Sequence, residues 1–73
     1  MKITIESTTK VVTANGIQCR VWEGETASGI KVQCLIPRIA VSRDDDTGQF
    51  EKELQEQRAP LAEVMAFPLR MIL

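Results

Sequence analysis

The sequence lacks histidine and tyrosine altogether and has only two cysteines among its 73 residues. Two cysteines without histidine cannot supply the four ligands of a tetrahedral zinc site. A nucleophilic cysteine needs a base beside it, and the sequence places no base to serve Cys19 or Cys34. It also contains no glycine-rich loop that would cradle a phosphate. We therefore expect a protein that binds its target without catalysing a reaction and without a cofactor or metal.

Long apolar runs and an excess of one charge are absent as well. No apolar run approaches the roughly 18 residues that a membrane-spanning helix needs, and no charged and apolar leader precedes the first predicted strand. Nine Lys and Arg residues are balanced by ten Asp and Glu residues, so the overall field does not attract polyanions in general. These features favour a cytoplasmic protein with no membrane partner and no general nucleic-acid binding.

The chain is long enough for one domain, which we assign to residues 1–73. A core of this size typically contributes only about 3 to 5 kcal/mol of net stability, and natural chains of this length usually add a staple. Cys19 and Cys34 lie in predicted strands and are expected to be reduced core residues, because a lone pair is too few for a disulfide framework. Self-association is the stabilising device that remains, so we expect a homo-oligomer.

Alternating apolar and polar residues predict several short strands. The first spans residues 2–6, and the polar residues 7–9 separate it from the next pair. That pair, residues 10–14 and 17–23, flanks Asn15-Gly16, the dipeptide that best tolerates the two positive φ angles of a type I′ turn. The sequence therefore predicts a β-hairpin here.

A two-residue turn fixes which residues of this hairpin face each other, namely Ala14 and Ile17, Val12 and Cys19, and Lys10 and Val21. One face then carries Val12, Ala14, Ile17, Cys19 and Val21. The opposite face carries Val11, Thr13, Gln18, Arg20 and Trp22. The first set is the apolar face that we expect to be buried.

A third strand is predicted over residues 30–41, after a connection rich in turn residues. A loop over residues 26–29 would set Glu25 against Ile30 and Val21 against Cys34, whereas a two-residue turn would set Trp22 against Leu35. We prefer the longer loop because it keeps one continuous apolar face. Pro37 removes a ladder donor, so this strand is either at a sheet edge or interrupted there.

A helix is predicted from about residue 47 to residue 57. Asp46 is the expected N-cap, with Gln49 three residues on to complete a capping box. Phe50 and Leu54 form its apolar stripe. A short turn starting at Pro60 and a last strand over residues 69–73 follow. The predicted fold class is α+β, with a small antiparallel sheet of three to five strands, one main helix and a short C-terminal strand.

The strongest candidate binding site lies on the polar side of the predicted sheet. Its residues are Arg20, Trp22, Lys31 and Gln33, joined by Arg38 and Arg43 at the end of the third strand. A guanidinium beside an indole can hold a phosphate while the ring stacks on a base. The alternative is that the helix or the C-terminal segment covers this face and that Trp22 is a core residue. The acidic residues 44–46 are interpreted as a solvated loop, since they do not follow the calcium-loop pattern.

Three segments of the chain, residues 1–10, 38–41 and 68–73, resemble short proteins of tailed-phage and prophage genomes. Phages use many small proteins to disarm host defence. The resemblance therefore suggests an oligomeric sponge that sequesters a cyclic nucleotide or cyclic ADP-ribose signal in the host cytoplasm. The alternative is a protein-binding inhibitor or accessory factor, which would dock through a strand edge or through the acidic helix face of Glu51, Glu53 and Glu56.

Overall fold

A computed structural model describes residues 1–61 of the chain, which form a sheet and a helix. The sheet has three antiparallel strands in the order β1-β2-β3. These are β1 (Ile3–Ala14), β2 (Ile17–Thr26) and β3 (Lys31–Ile36), and the helix α1 spans Thr47–Leu54. The small α+β fold is therefore confirmed, and the predicted C-terminal strand lies outside the described residues. Within residues 1–61, no helix is long and apolar enough to cross a membrane.

The turn between β1 and β2 is the local feature that the sequence specifies most directly. Asn15 and Gly16 both have positive φ angles, of 51° and 80°, as a type I′ turn requires. The predicted pairs Ala14 with Ile17 and Val12 with Cys19 are both present. The hairpin prediction is confirmed at this end.

A bulge interrupts the hairpin farther from the turn. The register shifts between the pair of Val11 with Arg20 and the pair of Ser7 with Trp22, so the predicted facing of Lys10 and Val21 is wrong. The expected break at residues 7–9 is instead part of one continuous strand. Thr8 is fully buried there, and its hydroxyl donates to the carbonyl oxygen of Val21 at 2.6 Å. This hydrogen bond satisfies a polar side chain that would otherwise favour a loop.

The register of β2 with β3 differs from both alternatives considered from the sequence. Trp22 faces Cys34, and Val21 faces Leu35. The Thr26 N–H donates to the Ile30 carbonyl oxygen at 3.0 Å and closes a loop of three residues, 27–29. In this loop Gly29 has a φ of 89°, and its N–H donates to the Thr26 carbonyl oxygen at 3.0 Å. A type I turn followed by a left-handed glycine is a favoured three-residue hairpin loop.

This register changes the face that each β3 residue occupies. Cys34 lies on the same side as Trp22, so the prediction that it shares a face with Cys19 is wrong. Both cysteines are free, with Cys19 buried and Cys34 half-buried. Strand β3 ends at Ile36, directly before Pro37, and within residues 1–61 it pairs with β2 alone. Among the described residues it therefore lies at the sheet edge, and it ends where proline removes the next donor.

Helix α1 begins as predicted and ends earlier. The Asp46 carboxylate accepts a hydrogen bond from the Gln49 N–H at 2.9 Å, as an N-cap does. The last helical residue is Leu54, three positions before the predicted end. The chain then reaches the β1 bulge, where Arg58 donates its N–H to the Ser7 carbonyl at 3.2 Å and accepts from the Thr9 N–H at 2.9 Å. These two hydrogen bonds form a parallel bridge between Thr8 and Arg58. The backbone of Arg58 must be extended to form this bridge, so the helix cannot continue to that residue.

Candidate functional site

A cavity of about 300 Å³ lies on the Trp22 side of the sheet, between β2, the segment after β3 and helix α1. The residues that line it are Ser7, Arg20, Trp22, Ile36, Pro37, Arg38, Ile39, Phe50, Leu54, Gln55 and Gln57. We call it the Trp22 cavity. It combines two guanidinium groups, an indole and two side-chain amides, so it offers both charge-assisted and stacking contacts.

Strand alternation places two of these residues side by side on one face. Arg20 faces Ile36, and Trp22 faces Cys34 and Ser7 on the two neighbouring strands. Phe50 and Leu54 lie one turn apart on α1 and form part of the same wall. Trp22 itself is half-buried. It is therefore neither a fully buried core residue nor a freely exposed one.

The β1 bulge holds the Arg20 side chain in place. Its Nη1 donates to the Thr8 carbonyl oxygen at 3.4 Å, while Thr8 is anchored through its hydroxyl to Val21. A guanidinium carries five N–H donors, so this single contact leaves most of them for a ligand. Arg38 follows β3 and is exposed, and it brings a second positive charge to the same cavity.

Three of the six predicted ligand-binding residues come together here, namely Arg20, Trp22 and Arg38. The predicted placement of Lys31 and Gln33 beside them is wrong, because the one-residue difference in register moves both to the opposite face. Lys31 forms an exposed ion pair with Glu25 at 3.2 Å. Arg43 is exposed in the loop before α1 and does not line the cavity.

A second cavity, of about 410 Å³, adjoins the first along α1. It is lined by Glu6, Ser7, Trp22, Glu53, Leu54, Glu56, Gln57 and Arg58. Four of these residues, Ser7, Trp22, Leu54 and Gln57, also line the Trp22 cavity. We call the second space the acidic cavity, because three of its side chains are glutamates.

Sequence reasoning missed a buried carboxylate on the opposite face of the sheet. Glu23 is only 1% exposed, and its Oε1 lies 2.8 Å from Nη1 of Arg58. The same oxygen accepts a hydrogen bond from the Leu61 N–H at 3.0 Å. The side-chain amide of Gln33 donates to the other oxygen, Oε2, at 3.5 Å. Burial alone would raise the pKa of Glu23, but the Leu61 N–H and Arg58 outweigh it and hold the pKa below 4.5.

One signal in the sequence could have indicated this burial. Glu23 alternates in phase with Cys19 and Val21, which are 5% and 1% exposed. Two-residue periodicity therefore assigns it to the buried face. The sequence gives no comparable signal for Arg58, since its partner lies 35 residues away. The Glu23 carboxylate and Arg58 hold the segment after α1 against the sheet.

The side chains that line the two cavities can form hydrogen bonds, ion pairs and stacking contacts with a ligand. In the part of the chain that the structure describes, no group of three Cys, Asp or Glu side chains is placed to hold a metal ion. No protein-family model matches the chain, and neither a curated protein nor a solved structure shows a significant match to it.

Proposed function

We propose that this chain is a non-enzymatic binding protein that holds a small phosphorylated molecule in the Trp22 cavity. The observation that carries the proposal is the meeting of Arg20, Arg38 and Trp22 in the wall of one cavity. Its volume of about 300 Å³ is at the lower end of the range for small-molecule sites. A single small anionic ligand therefore suits it better than a polymer does.

The two kinds of side chain would bind different parts of such a ligand. Guanidinium groups form paired, charge-assisted hydrogen bonds with phosphate oxygens. An indole presents a flat apolar surface on which a planar ring can stack. Arg20 is already held by the Thr8 carbonyl at 3.4 Å, so less side-chain entropy is lost when a ligand binds.

The proposed biological role combines this cavity with the phage resemblance of the sequence. We propose that the ligand is a cyclic nucleotide or cyclic ADP-ribose signal, and that binding removes it from the host cytoplasm. Self-association is part of the proposal. Its support is the small apolar core, since Cys19 and Val21 are the buried apolar residues within residues 1–61. Sedimentation of the purified protein at micromolar concentration should show a species larger than a monomer.

Calorimetry against a panel of cyclic dinucleotides, cyclic trinucleotides and cyclic ADP-ribose isomers tests the proposal. Arg20→Ala should weaken binding by roughly ten- to a hundredfold, since it removes charge-assisted hydrogen bonds. Lys31→Ala is the matched control, because it removes a cation from the opposite face of the same sheet. It should leave affinity unchanged.

Trp22→Ala should weaken binding by about 1 to 3 kcal/mol if a base stacks on the indole. Circular dichroism must first show that both variants fold, because Trp22 also contributes to packing. Folded wild-type protein that releases no heat with any member of the panel would refute the proposal. Equal losses in Arg20→Ala and Lys31→Ala would show that the Trp22 cavity is not the site.

A protein-binding inhibitor remains the second candidate, and one observation favours it. Strand β3 has a partner on one side only within residues 1–61, and an unpaired edge can accept a strand from another protein. Glu51, Glu53 and Glu56 are also exposed on and just after α1. In that case charge reversal at these glutamates should slow association with the partner, and Arg20→Ala should remain active.

A further inference from the structure

The Trp22 cavity and the acidic cavity adjoin each other and share Trp22, and we call the two together the groove. Trp22, Ser7, Leu54 and Gln57 belong to the walls of both. A planar ring that lies on the indole would therefore extend from one cavity towards the other. The side chains of the acidic cavity therefore decide which rings can bind.

The two ends of this groove carry opposite charge. Arg20 and Arg38 line one end, and the carboxylates of Glu6, Glu53 and Glu56 line the other. Arg58 also lines the acidic cavity, but its guanidinium is engaged with Glu23 at 2.8 Å and with Glu6 at 3.4 Å. Glu53 and Glu56 make no ion pair within residues 1–61 and are exposed. Their carboxylates are therefore available to bind a ligand.

We propose that this groove selects a guanine nucleotide, with the phosphate at Arg20 and Arg38 and the base edge at Glu53 or Glu56. The inference rests on the proposed function and specifies its ligand. An ionised carboxylate only accepts hydrogen bonds. Guanine presents two neighbouring donors, N1–H and the 2-amino group, which match the two oxygens of one carboxylate.

Other purines fit this end of the groove less well. Adenine presents an unprotonated N1 at the corresponding edge, and this acceptor is repelled by a carboxylate oxygen, so only the 6-amino group of adenine can donate. Hypoxanthine keeps N1–H but lacks the 2-amino group, so one of the two hydrogen bonds is lost. A site that hydrogen-bonds a ligand group discriminates against analogues without it more strongly than an apolar pocket does. The amide of Gln57 lies in the same wall but can pair with either purine, because it both donates and accepts.

Calorimetry with guanosine, inosine and adenosine 5′-monophosphates tests the inference, since the three ligands share one phosphate and differ in the base edge. We expect affinity to fall in that order, with roughly ten- to a hundredfold between the guanosine and adenosine compounds. In the double variant Glu53→Gln/Glu56→Gln this preference should shrink to within about threefold. Glu51→Gln is the matched control, because Glu51 is exposed on the same helix but lines neither cavity.

The outcomes separate this inference from the function on which it rests. Equal affinity for the three nucleotides would overturn the guanine preference and leave phosphate binding in place. An unchanged preference in the double variant would overturn the assignment to Glu53 and Glu56. Absence of binding by these ligands and by the cyclic panel would refute both. The substituted glutamates are exposed, so the variants should fold, and circular dichroism would confirm it.

Discussion

Replacing Arg58 by alanine should strongly destabilise the protein, because it leaves a buried carboxylate without its counter-ion. Glu23 is 1% exposed and lies 2.8 Å from Nη1 of Arg58. Removing one partner of a buried pair typically costs about 3 to 5 kcal/mol. Two donors, the Leu61 N–H and the Gln33 amide, would remain near the carboxylate. They reduce the expected loss in the free energy of unfolding to about 2 to 4 kcal/mol.

The chain offers a control ion pair between strands β2 and β3. Lys31 and Glu25 also form an ion pair, at 3.2 Å, but their side chains are 44% and 51% exposed. An exposed pair contributes little, so Lys31→Ala should cost less than about 1 kcal/mol. The contrast between the two variants compares the loss of a buried carboxylate's counter-ion with the loss of an exposed one's. Urea unfolding monitored by the fluorescence of the single tryptophan, Trp22, gives both values.

A second substitution keeps the experiment informative if Arg58→Ala unfolds without urea. A domain of this size has only about 3 to 5 kcal/mol to lose. Glu23→Gln in the Arg58→Ala background removes the uncompensated charge and should recover folded protein. The two substitutions should therefore be strongly non-additive in a double-mutant cycle. Equal costs for Arg58→Ala and Lys31→Ala, or additive costs in the cycle, would refute the reasoning.

Two further predictions follow from individual residues. Because the pKa of Glu23 is lowered in the folded protein, its contribution is complete above the ordinary pKa of 4.5 and is lost as the pH falls through the lowered value. Acid titration of unfolding stability should show this loss in the wild type, and Glu23→Gln should reduce it. Gly24→Ala should cost at least about 1 to 3 kcal/mol, because the added Cβ would overlap the carbonyl oxygen of Thr4. A thermal melt unchanged from the wild type would contradict the close approach of these strands.

Local signals in the sequence predicted the parts of the fold that depend on neighbouring residues. The Asn15-Gly16 turn needs only two positive φ angles, and the Asp46 cap needs one carboxylate beside a free N–H. The bulge at Thr8 depends instead on the distant Val21 carbonyl and on Arg58. A polar run whose partners are far away in sequence has the composition of a loop. It was therefore predicted as one.

The sequence predicted the positions of those candidate-site residues that depend on strand alternation alone. Arg20 and Trp22 were expected on one face, and both line the Trp22 cavity. The predicted positions of Lys31 and Gln33 were wrong because the register of β2 with β3 was predicted from the continuity of the apolar face. The buried face of the sheet includes the Glu23 carboxylate, whose charge Arg58 neutralises. Apolar continuity is thus a poor guide to register when a counter-ion from elsewhere can neutralise a buried charge.

The contact between the β1 bulge and Arg58 also bears on the order in which the protein folds. The hairpin around Asn15-Gly16 closes a very short loop, so it can form within about 1 to 10 μs. Glu23 and Arg58 are 35 residues apart, and closing a loop of that length costs more chain entropy. The segment with Arg58 should therefore dock after the sheet has formed. Because Arg58 lines the acidic cavity, that end of the groove is completed last and is the first part to open in local unfolding.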